Sequence, residues 1–294
     1  MYAYVFPGQG SQKKGMGKDL FADFSGLVKT ADDILGYSIT DLCINNRDDK
    51  LKDTKYAQPA IYVVNTMDYL KRSSQRSERP NYFAGHSLGE FNALYASGIY
   101  SFEDGLRLVK KRAEIMSSLR NGAMSAVIGS TQDRIQNLLC KHNLDEVDFA
   151  NFNEPNQIVL SGLVKDIECA EEILKDSNIR TVRLKVSGSF HSRYMKSANI
   201  EFIKTLEEIS FRESDIPVVS SVTGRPYQDN VYELLSTQMY RPVKWIDTVE
   251  YMLTHGCYEI IELGGSRVLD QLILKIKKAR ALGSNRSQTK ADSA

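Results

Sequence analysis

Residues 85 to 89 read Gly85-His86-Ser87-Leu88-Gly89, a G-x-S-x-G pentapeptide set between the short apolar run Tyr82-Phe83-Ala84 and a helix-like stretch, Glu90 to Ser97. A serine at the apex of a sharp strand-to-helix turn needs glycines on both sides, because the backbone must bend without Cβ clashes while Oγ is pushed into the open. The pattern therefore predicts a strand feeding a helix, with Ser87 as candidate nucleophile. The turn opens a helix, so the Leu88 amide points toward any negative charge that develops beside Ser87, which is half of an oxyanion hole. An ordinary tight turn carrying a serine is the plainer reading, and the presence of a base separates the two.

Four histidines are available for that role, His86, His142, His191 and His255. His86 adjoins Ser87 and projects in another direction, so it is expected to pack near the site or touch substrate. His142, beside Lys141 and Asn143, and His255, before Gly256, read as solvated caps where helices stop. His191 lies in Val186-Ser187-Gly188-Ser189-Phe190-His191-Ser192, an irregular stretch of small residues between an apolar alternation and a new helix, where loops commonly place catalytic groups. It is the candidate general base.

With 294 residues the chain can bury a substantial core, as one large domain or two smaller ones. Lys and Arg number 38 against 37 Asp and Glu, a net charge of +1, which removes the electrostatic footprint of a nucleic-acid binder. Cys43, Cys140, Cys169 and Cys257 are scattered, without a C-x-x-C, in or beside apolar runs. They read as reduced structural cysteines, with neither a metal site nor disulfides expected. No run of apolar residues is long enough to span a membrane, and no basic-then-apolar leader precedes the strand-like Tyr2 to Phe6. A soluble, cytoplasmic protein is expected.

Strand-like and helix-like segments alternate along the chain, the pattern of an α/β architecture. An outer frame runs from Tyr2 to Phe6 through a helix near Pro59 to Arg72, the Ser87 strand and a helix from Ser101 to Leu119. It resumes after His191 with a helix near Tyr194 to Ile209 and a strand at Pro217 to Val222. Helices near Tyr232 to Met239 and Ile246 to Leu253, a strand Tyr258 to Leu263 and a last helix to about Lys278 complete it. Between the two parts, strands at Ser125 to Ile128, Val147 to Phe152, Gln157 to Leu160 and Thr181 to Lys185 are interleaved with helices at Gln132 to Lys141 and Val164 to Lys175. That order, βαββαβ, is the order of a ferredoxin-like unit. The expected division is a large subdomain, 1–122 and 190–280, an inserted ferredoxin-like small subdomain, 123–189, and a polar disordered tail, 281–294. The cleft between the two bodies is the expected active site.

Arg112 stands out on the helix that begins at Ser101-x-x-Asp104, a capping box with Asp in place of Glu. It shares a face with Leu108, Ile115 and Leu119, whereas Arg107, Lys111, Glu114 and Ser118 make the polar face. A snorkelling arginine that covers core surface with its stem is one explanation. The other is an anion receptor, a guanidinium in an apolar cleft that grips a carboxylate bidentately. Pro7-Gly8-Gln9-Gly10-Ser11-Gln12 follows the first strand and offers backbone amides at the end of a strand where α/β folds bind ligands. A phosphate loop is excluded there, because Lys13 and Lys14 precede Gly15 instead of following a correctly spaced glycine.

These residues together resemble the malonyl-CoA:acyl-carrier-protein transacylases over roughly residues 3 to 275. The marks are Phe6-Pro7-Gly8-Gln9-Gly10-Ser11-Gln12, Gly85-His86-Ser87-Leu88-Gly89-Glu90, Arg112 and Phe190-His191. Gly15-Met16-Gly17 and Gln58-Pro59-Ala60 are similar to the discrete trans-acting acyltransferases of polyketide synthases. The resemblance implies an α/β-hydrolase-like large subdomain with an inserted ferredoxin-like small subdomain. It implies ping-pong transfer of a malonyl group from malonyl-CoA through Ser87, activated by His191, to the phosphopantetheine thiol of an acyl carrier protein. On the same footing, the amides of Gln9 and Leu88 form the oxyanion hole, Arg112 pairs with the malonyl carboxylate, and the backbone carbonyl of Gln238 orients His191. Phe190 selects malonyl units by crowding the substrate α-carbon. Ser189 departs from the more usual alanine of the family, and Gly264-Gly265 from a Gly-Pro-Gly turn. No cofactor is implied beyond the CoA substrate and the partner's own phosphopantetheine, and nothing demands more than a monomer. Two alternatives remain, an acyl hydrolase that clears misloaded carriers on the same scaffold and a catalytically silent docking partner. Arg112 opposes the first, since uncharged acyl chains need no carboxylate clamp, and an intact Ser87 and His191 oppose the second.

Overall fold

The computed structural model describes residues 1–291, with side chains described through Leu282. Strand β1 (Tyr2–Phe6) is followed by helices α1 (Ser25–Leu35), α2 (Ile39–Asn45) and α3 (Thr54–Ser74). Strand β2 (Tyr82–Gly85) then leads into α4 (Gly89–Ala96) and α5 (Phe102–Ser118). The middle of the chain holds β3 (Gly122–Ile128), α6 (Gln132–Lys141), β4 (Asp148–Glu154), β5 (Gln157–Leu163), α7 (Val164–Asp176) and β6 (Arg180–Arg183). The last part comprises α8 (Asn199–Glu207), β7 (Val218–Val219), α9 (Val231–Leu235), α10 (Trp245–Thr254), β8 (Glu259–Glu262) and α11 (Val268–Ala291).

Among the described residues the strands form two sheets. One is parallel, in the order β7-β2-β1-β8. Its strands alternate between two covered faces: Tyr4, Phe6 and Phe83 pack into one core with α3, α4 and α5, and Ala3, Val5 and Ala84 into another with Trp245, Val249 and Leu272. Cover on both faces is what a parallel sheet with crossover helices requires. The other sheet is antiparallel, in the order β4-β5-β3-β6, which is the ferredoxin-like arrangement with β5 inserted between β3 and β4. Ala123 and Val127 of β3 face α6 and α7 through Ile135, Leu139, Ile167 and Leu174. Met124 and Ala126, one residue out of step, face the other way, toward the large body. The two bodies are stitched where Val243 accepts from the Phe152 amide at 2.9 Å and donates to the Ala150 carbonyl at 2.8 Å.

Several boundaries differ from those expected. α3 begins at Thr54, before Pro59, because the Asp53 side chain caps it by accepting from the Lys55 amide. α1 and α2 have no counterpart in the expected frame, and α1 buries only Ala31 and Leu35, too thin a stripe to stand out. The helix expected from Tyr194 is instead a 3-10 turn, Arg193–Met195, followed by α8. The one expected over Tyr232 to Met239 is the short α9 and a separate 3-10 turn, Gln238–Tyr240, and the strand expected over Pro217 to Val222 is Val218–Val219 alone. Ser101 does cap α5, but Asp104 meets the Ser101 hydroxyl instead of the backbone, its side chain being shorter than the glutamate of a full capping box. α11 passes the expected end near Lys278. Ala279, Ala281 and Leu282 favour helix, and Arg280 bonds Glu250 and Thr254 of α10. The expected disordered tail, 281–294, therefore falls partly on this helix, and 292–294 lie outside the described residues. All four cysteines are free, but Cys140 and Cys169 are exposed, each beside a buried neighbour, Leu139 on α6 and Ala170 on α7. No described helix is long and apolar enough to cross a membrane.

The turn between β2 and α4 lies directly against β1. A Cβ on Gly89 would sit 1.9 Å from the Phe6 carbonyl oxygen, and one on Gly85 would sit 2.0 Å from the Gly89 carbonyl carbon. Backbone, not a movable side chain, is what each would strike. Gly89→Ala is therefore expected to destabilise the protein by about 3 kcal/mol or more, the upper part of the overpacking range. By contrast, Gly36→Ala, at φ 81 with nothing near its Cβ, is expected to lose only about 1 to 2 kcal/mol for the left-handed backbone. Urea midpoints of the two variants check the order.

Candidate active site

Ser87 ends the turn with φ 53, a left-handed conformation that non-glycine residues adopt only when their surroundings impose it. The Gly85 and Gly89 contacts impose it here, and the His86 amide donates to the Phe6 carbonyl at 3.0 Å to hold the turn on β1. Leu88 is the N-cap of α4. The Gly8 backbone runs so close alongside that a Cβ on it would be 2.4 Å from the His86 carbonyl oxygen and 3.6 Å from the Leu88 nitrogen. The Gln9 loop and the Leu88 amide thus flank the serine from the ends of neighbouring parallel strands.

His191, also at positive φ (56) and 4% exposed, meets Ser87 from the segment that follows β6 in the chain. Its Nε2 lies 2.7 Å from Ser87 Oγ. Its Nδ1 lies 3.0 Å from the Gln238 carbonyl and 2.9 Å from the Arg241 carbonyl. Carbonyl oxygens only accept, so Nδ1 carries the proton and Nε2 is left as the acceptor for the serine hydroxyl. The carbonyls are free because the chain leaves α9 at Leu235 and passes through a lone 3-10 turn into the extended Arg241-Pro242. Burial, and then the positive charge of Arg112, pull the His191 imidazole down to about 3, against the two carbonyl bonds, which favour its protonation. It stands as a neutral base.

Arg112 is 1% exposed, and its hydrogen-bond partners are neutral. Nη1 donates to Gln58 Oε1 at 2.7 Å, Nε and Nη2 to Gln238 Oε1 at 3.2 and 3.1 Å, and Nη2 to Ser87 Oγ at 3.0 Å. The Phe91 ring lies 5.6 Å from its guanidinium carbon. Among the described residues Arg112 has no carboxylate within ion-pair distance, and its buried head group is not the solvent-reaching head of a snorkelling arginine. Burial pulls it down to about 9, with Glu90 opposing the fall, so it remains a cation at neutral pH. An ion held this way has surrendered its hydration without a countercharge in contact, and an incoming carboxylate would supply one.

The three side chains open into a cleft of about 750 Å³ between the two bodies. Its walls include Gln9, His86, Phe190, Met124, Ala126, Val159 and Leu184, and its charged lining residues are Arg112, Lys52, Lys185 and Lys275, all cationic. Lys275 is paired with Glu154 at 2.7 Å. His86 turns away from Ser87 to bond Asn153 Oδ1 at 2.8 Å, and its ring packs edge-on to Trp245. Phe190 is 4% exposed and borders the cleft beside His191. His142 and His255 cap α6 and α10, away from the site.

The structure thus brings Gln9, His86, Ser87, Leu88, Arg112, Phe190, His191 and Gln238 to one place, and adds partners that local sequence does not reveal. Gln58, in the Gln58-Pro59-Ala60 segment of α3, anchors one arm of Arg112. Gln238 was expected to contribute its backbone alone, and its side chain proves to hold Arg112 as well. Arg241 adds a second carbonyl to His191, and the proline after it was the available signal, since a residue before proline is held extended.

A serine on a strand-to-helix turn, a neutral histidine in contact with it and a ligand cleft at the carboxyl end of a parallel sheet are an arrangement suited to acyl transfer. The chain belongs to the acyl transferase domain family, whose profile matches residues 3–264. It is 46% identical over 280 residues to the polyketide biosynthesis malonyl CoA-acyl carrier protein transacylase BaeC of Bacillus velezensis, covering 94% of this chain and 97% of that protein. It is 45% identical to the polyketide biosynthesis protein ThaF of Burkholderia thailandensis over 97% of this chain, but spans only 25% of that longer protein. The crystal structure of malonyl CoA-acyl carrier protein transacylase from Burkholderia pseudomallei superposes with a TM-score of 0.91 at 42% identity, covering 95% of this chain and 98% of that one.

A base pulled down to about 3 keeps its proton-accepting form at every higher pH. Inactivation at Ser87 by an uncharged fluorophosphonate is therefore expected to keep a constant rate from about pH 8 down to about pH 5, with no loss near the ordinary imidazole value. A rate that halves near pH 6.5 would show that His191 titrates normally and is not held neutral.

Proposed function

We propose that this protein is a malonyl-CoA:acyl-carrier-protein malonyltransferase, supplying extender units for polyketide synthesis in the cytoplasm. The observation that carries the reading is Arg112, a fully buried guanidinium 3.0 Å from the candidate nucleophile with no carboxylate in contact. An acyl donor with a free carboxylate answers that geometry. The names of BaeC and ThaF support the polyketide assignment over fatty acid synthesis. Hydrolytic editing has no observation in its favour, because an uncharged acyl group would leave the cation unanswered.

In the first half-reaction Ser87 Oγ attacks the thioester carbonyl of malonyl-CoA as its proton passes to His191 Nε2. The amides of Gln9 and Leu88 receive the oxyanion. The C–S bond then breaks, CoA leaves with the proton from His191, and malonyl-serine remains. In the second half-reaction the phosphopantetheine thiol of the acyl carrier protein attacks that ester, with His191 first taking the thiol proton and then returning one to Ser87. Gln238, through its carbonyl, keeps His191 in the working tautomer. Arg112 holds the malonyl carboxylate throughout, and Phe190 excludes branched acyl groups by occupying space beside the α-carbon. His86 borders the site without a proton-transfer role.

The large subdomain, 1–122 and 190–280, carries this chemistry, and the inserted subdomain, 123–189, forms the second wall of the cleft. Lysines on the cleft lining suit the phosphates of CoA and of the carrier's arm. The serine and histidine need no metal or cofactor for acyl transfer, and a monomer suffices.

Intact-mass spectrometry after brief exposure to malonyl-CoA, acetyl-CoA and methylmalonyl-CoA in competition, followed by phosphopantetheinylated carrier protein, tests the reading. A malonyl adduct that moves to the carrier is expected, and adducts that are lost to water instead would overturn it. Ser87→Ala is expected to form no adduct. Arg112→Ala is expected to lose about 2 to 5 kcal/mol in kcat/KM for malonyl-CoA, the cost of truncating one partner of a buried charge pair, while acetyl-CoA is affected far less.

A further inference from the structure

Glu90, the residue that follows the G-x-S-x-G turn, is fully buried, and nothing in the mechanism above uses it. Its Oε1 accepts from the Ser221 amide and the Tyr227 hydroxyl, each at 2.7 Å. Its Oε2 accepts from the Ser221 hydroxyl at 2.7 Å and from Gln238 Nε2 at 2.6 Å. A main-chain N–H and a carboxamide NH2 can only donate, so each carboxyl oxygen meets an obligate donor and the group is built to be a carboxylate.

Gln238 stands between this carboxylate and Arg112. Its Nε2 is shared by Glu90 and the Ser87 carbonyl, 2.9 Å away, which leaves Oε1 facing Nε and Nη2 of Arg112. Turned over, the carboxamide would bring NH2 against a guanidinium that has only donors to offer. Glu90 also lies close enough for its negative charge to oppose the burial of Arg112, yet it makes no contact ion pair with it. Direct pairing would place a carboxylate on the guanidinium. With one intervening amide, Glu90 offsets the buried charge while the guanidinium meets only neutral acceptors, Gln58, Gln238 and Ser87.

We infer that Glu90 is a positioning residue for malonyl selection, which orients the Gln238 carboxamide so that Arg112 is held ready for the substrate carboxylate. This rests on the reading of Arg112 proposed above. A purely structural Glu90, stitching the 220–227 loop to the turn, would affect every acyl donor alike.

The test compares kcat/KM for acyl-serine formation from malonyl-CoA and from acetyl-CoA in the wild-type protein and in Glu90→Gln. The wild-type protein is expected to prefer malonyl-CoA. In Glu90→Gln, an amide in place of the carboxylate loses the charge and sets one NH2 against a donor, so the malonyl-to-acetyl ratio is expected to fall about tenfold, the worth of a hydrogen bond to a charged group. A ratio equal to wild type overturns the inference, whether both rates fall together or neither does. A second variant, Ser221→Ala/Tyr227→Phe, keeps the carboxylate but loosens it, and is expected to lower the ratio by a smaller factor. If Glu90→Gln does not fold, an unchanged ratio in that double variant overturns the inference by itself. Absence of malonyl preference in the wild-type protein brings down the Arg112 reading, and this one with it, whereas preference that survives loss of Glu90 brings down this one alone.

Discussion

Where β2 ends, the chain bends so tightly that a single methyl group on Gly89 would lie 1.9 Å from the Phe6 carbonyl oxygen of the neighbouring strand. That close backbone approach holds Ser87 in its left-handed conformation and sets the first turn of α4 beside the loop after β1. From it follow the direction of the Ser87 hydroxyl, the nearness of Leu88 to Gly8, and the position of Glu90 behind the site. A parallel pair of strands makes it possible, because Phe6 and Gly85 are partners in register and both chains leave the sheet on the same side. Ligand sites at the carboxyl ends of parallel strands have this origin in general.

The second determinant is electrostatic. Arg112 and His191 share a buried volume, and the charge of Arg112 disfavours protonation of His191. The neutral amides of Gln58 and Gln238 hold the arginine without discharging it, and Glu90 lies one amide further back. Two carbonyls from a broken helix hold the histidine in one tautomer. In many serine enzymes a third-residue carboxylate does that work. A carboxylate in contact with His191 would also stand near Arg112 and compete for it, so main-chain carbonyls suit a site whose cation is proposed to bind substrate.

The antiparallel sheet contributes a wall. Because side chains alternate along a strand, β3 sends Ala123 and Val127 to its own helices and Met124 and Ala126 to the cleft, and a two-sided apolar strand is needed to do both. The backbone bonds between Val243 and the Ala150 to Phe152 segment fix the distance between the walls.

Local sequence determined a good deal of this protein. The turn at Ser87, the cap at Ser101, the βαββαβ order of the insert and the placing of Arg112 within an apolar stripe are each marked by residues close together in the chain, so they could be read directly. His191 was reachable by elimination among few candidates. Tertiary structure alone decided the rest. Gln58, Glu90 and Gln238 meet around Arg112 from α3, α4 and a 3-10 turn, and no spacing or periodicity encodes contacts between residues so far apart. The break between α9 and the 3-10 turn at Gln238 is of the same kind, since the Gln238 carbonyl it leaves free bonds His191, 47 residues away in the chain. Short-range sterics and hydrogen bonding write the elements into the chain, but the burial of one cation without a countercharge in contact is a property of the assembled fold.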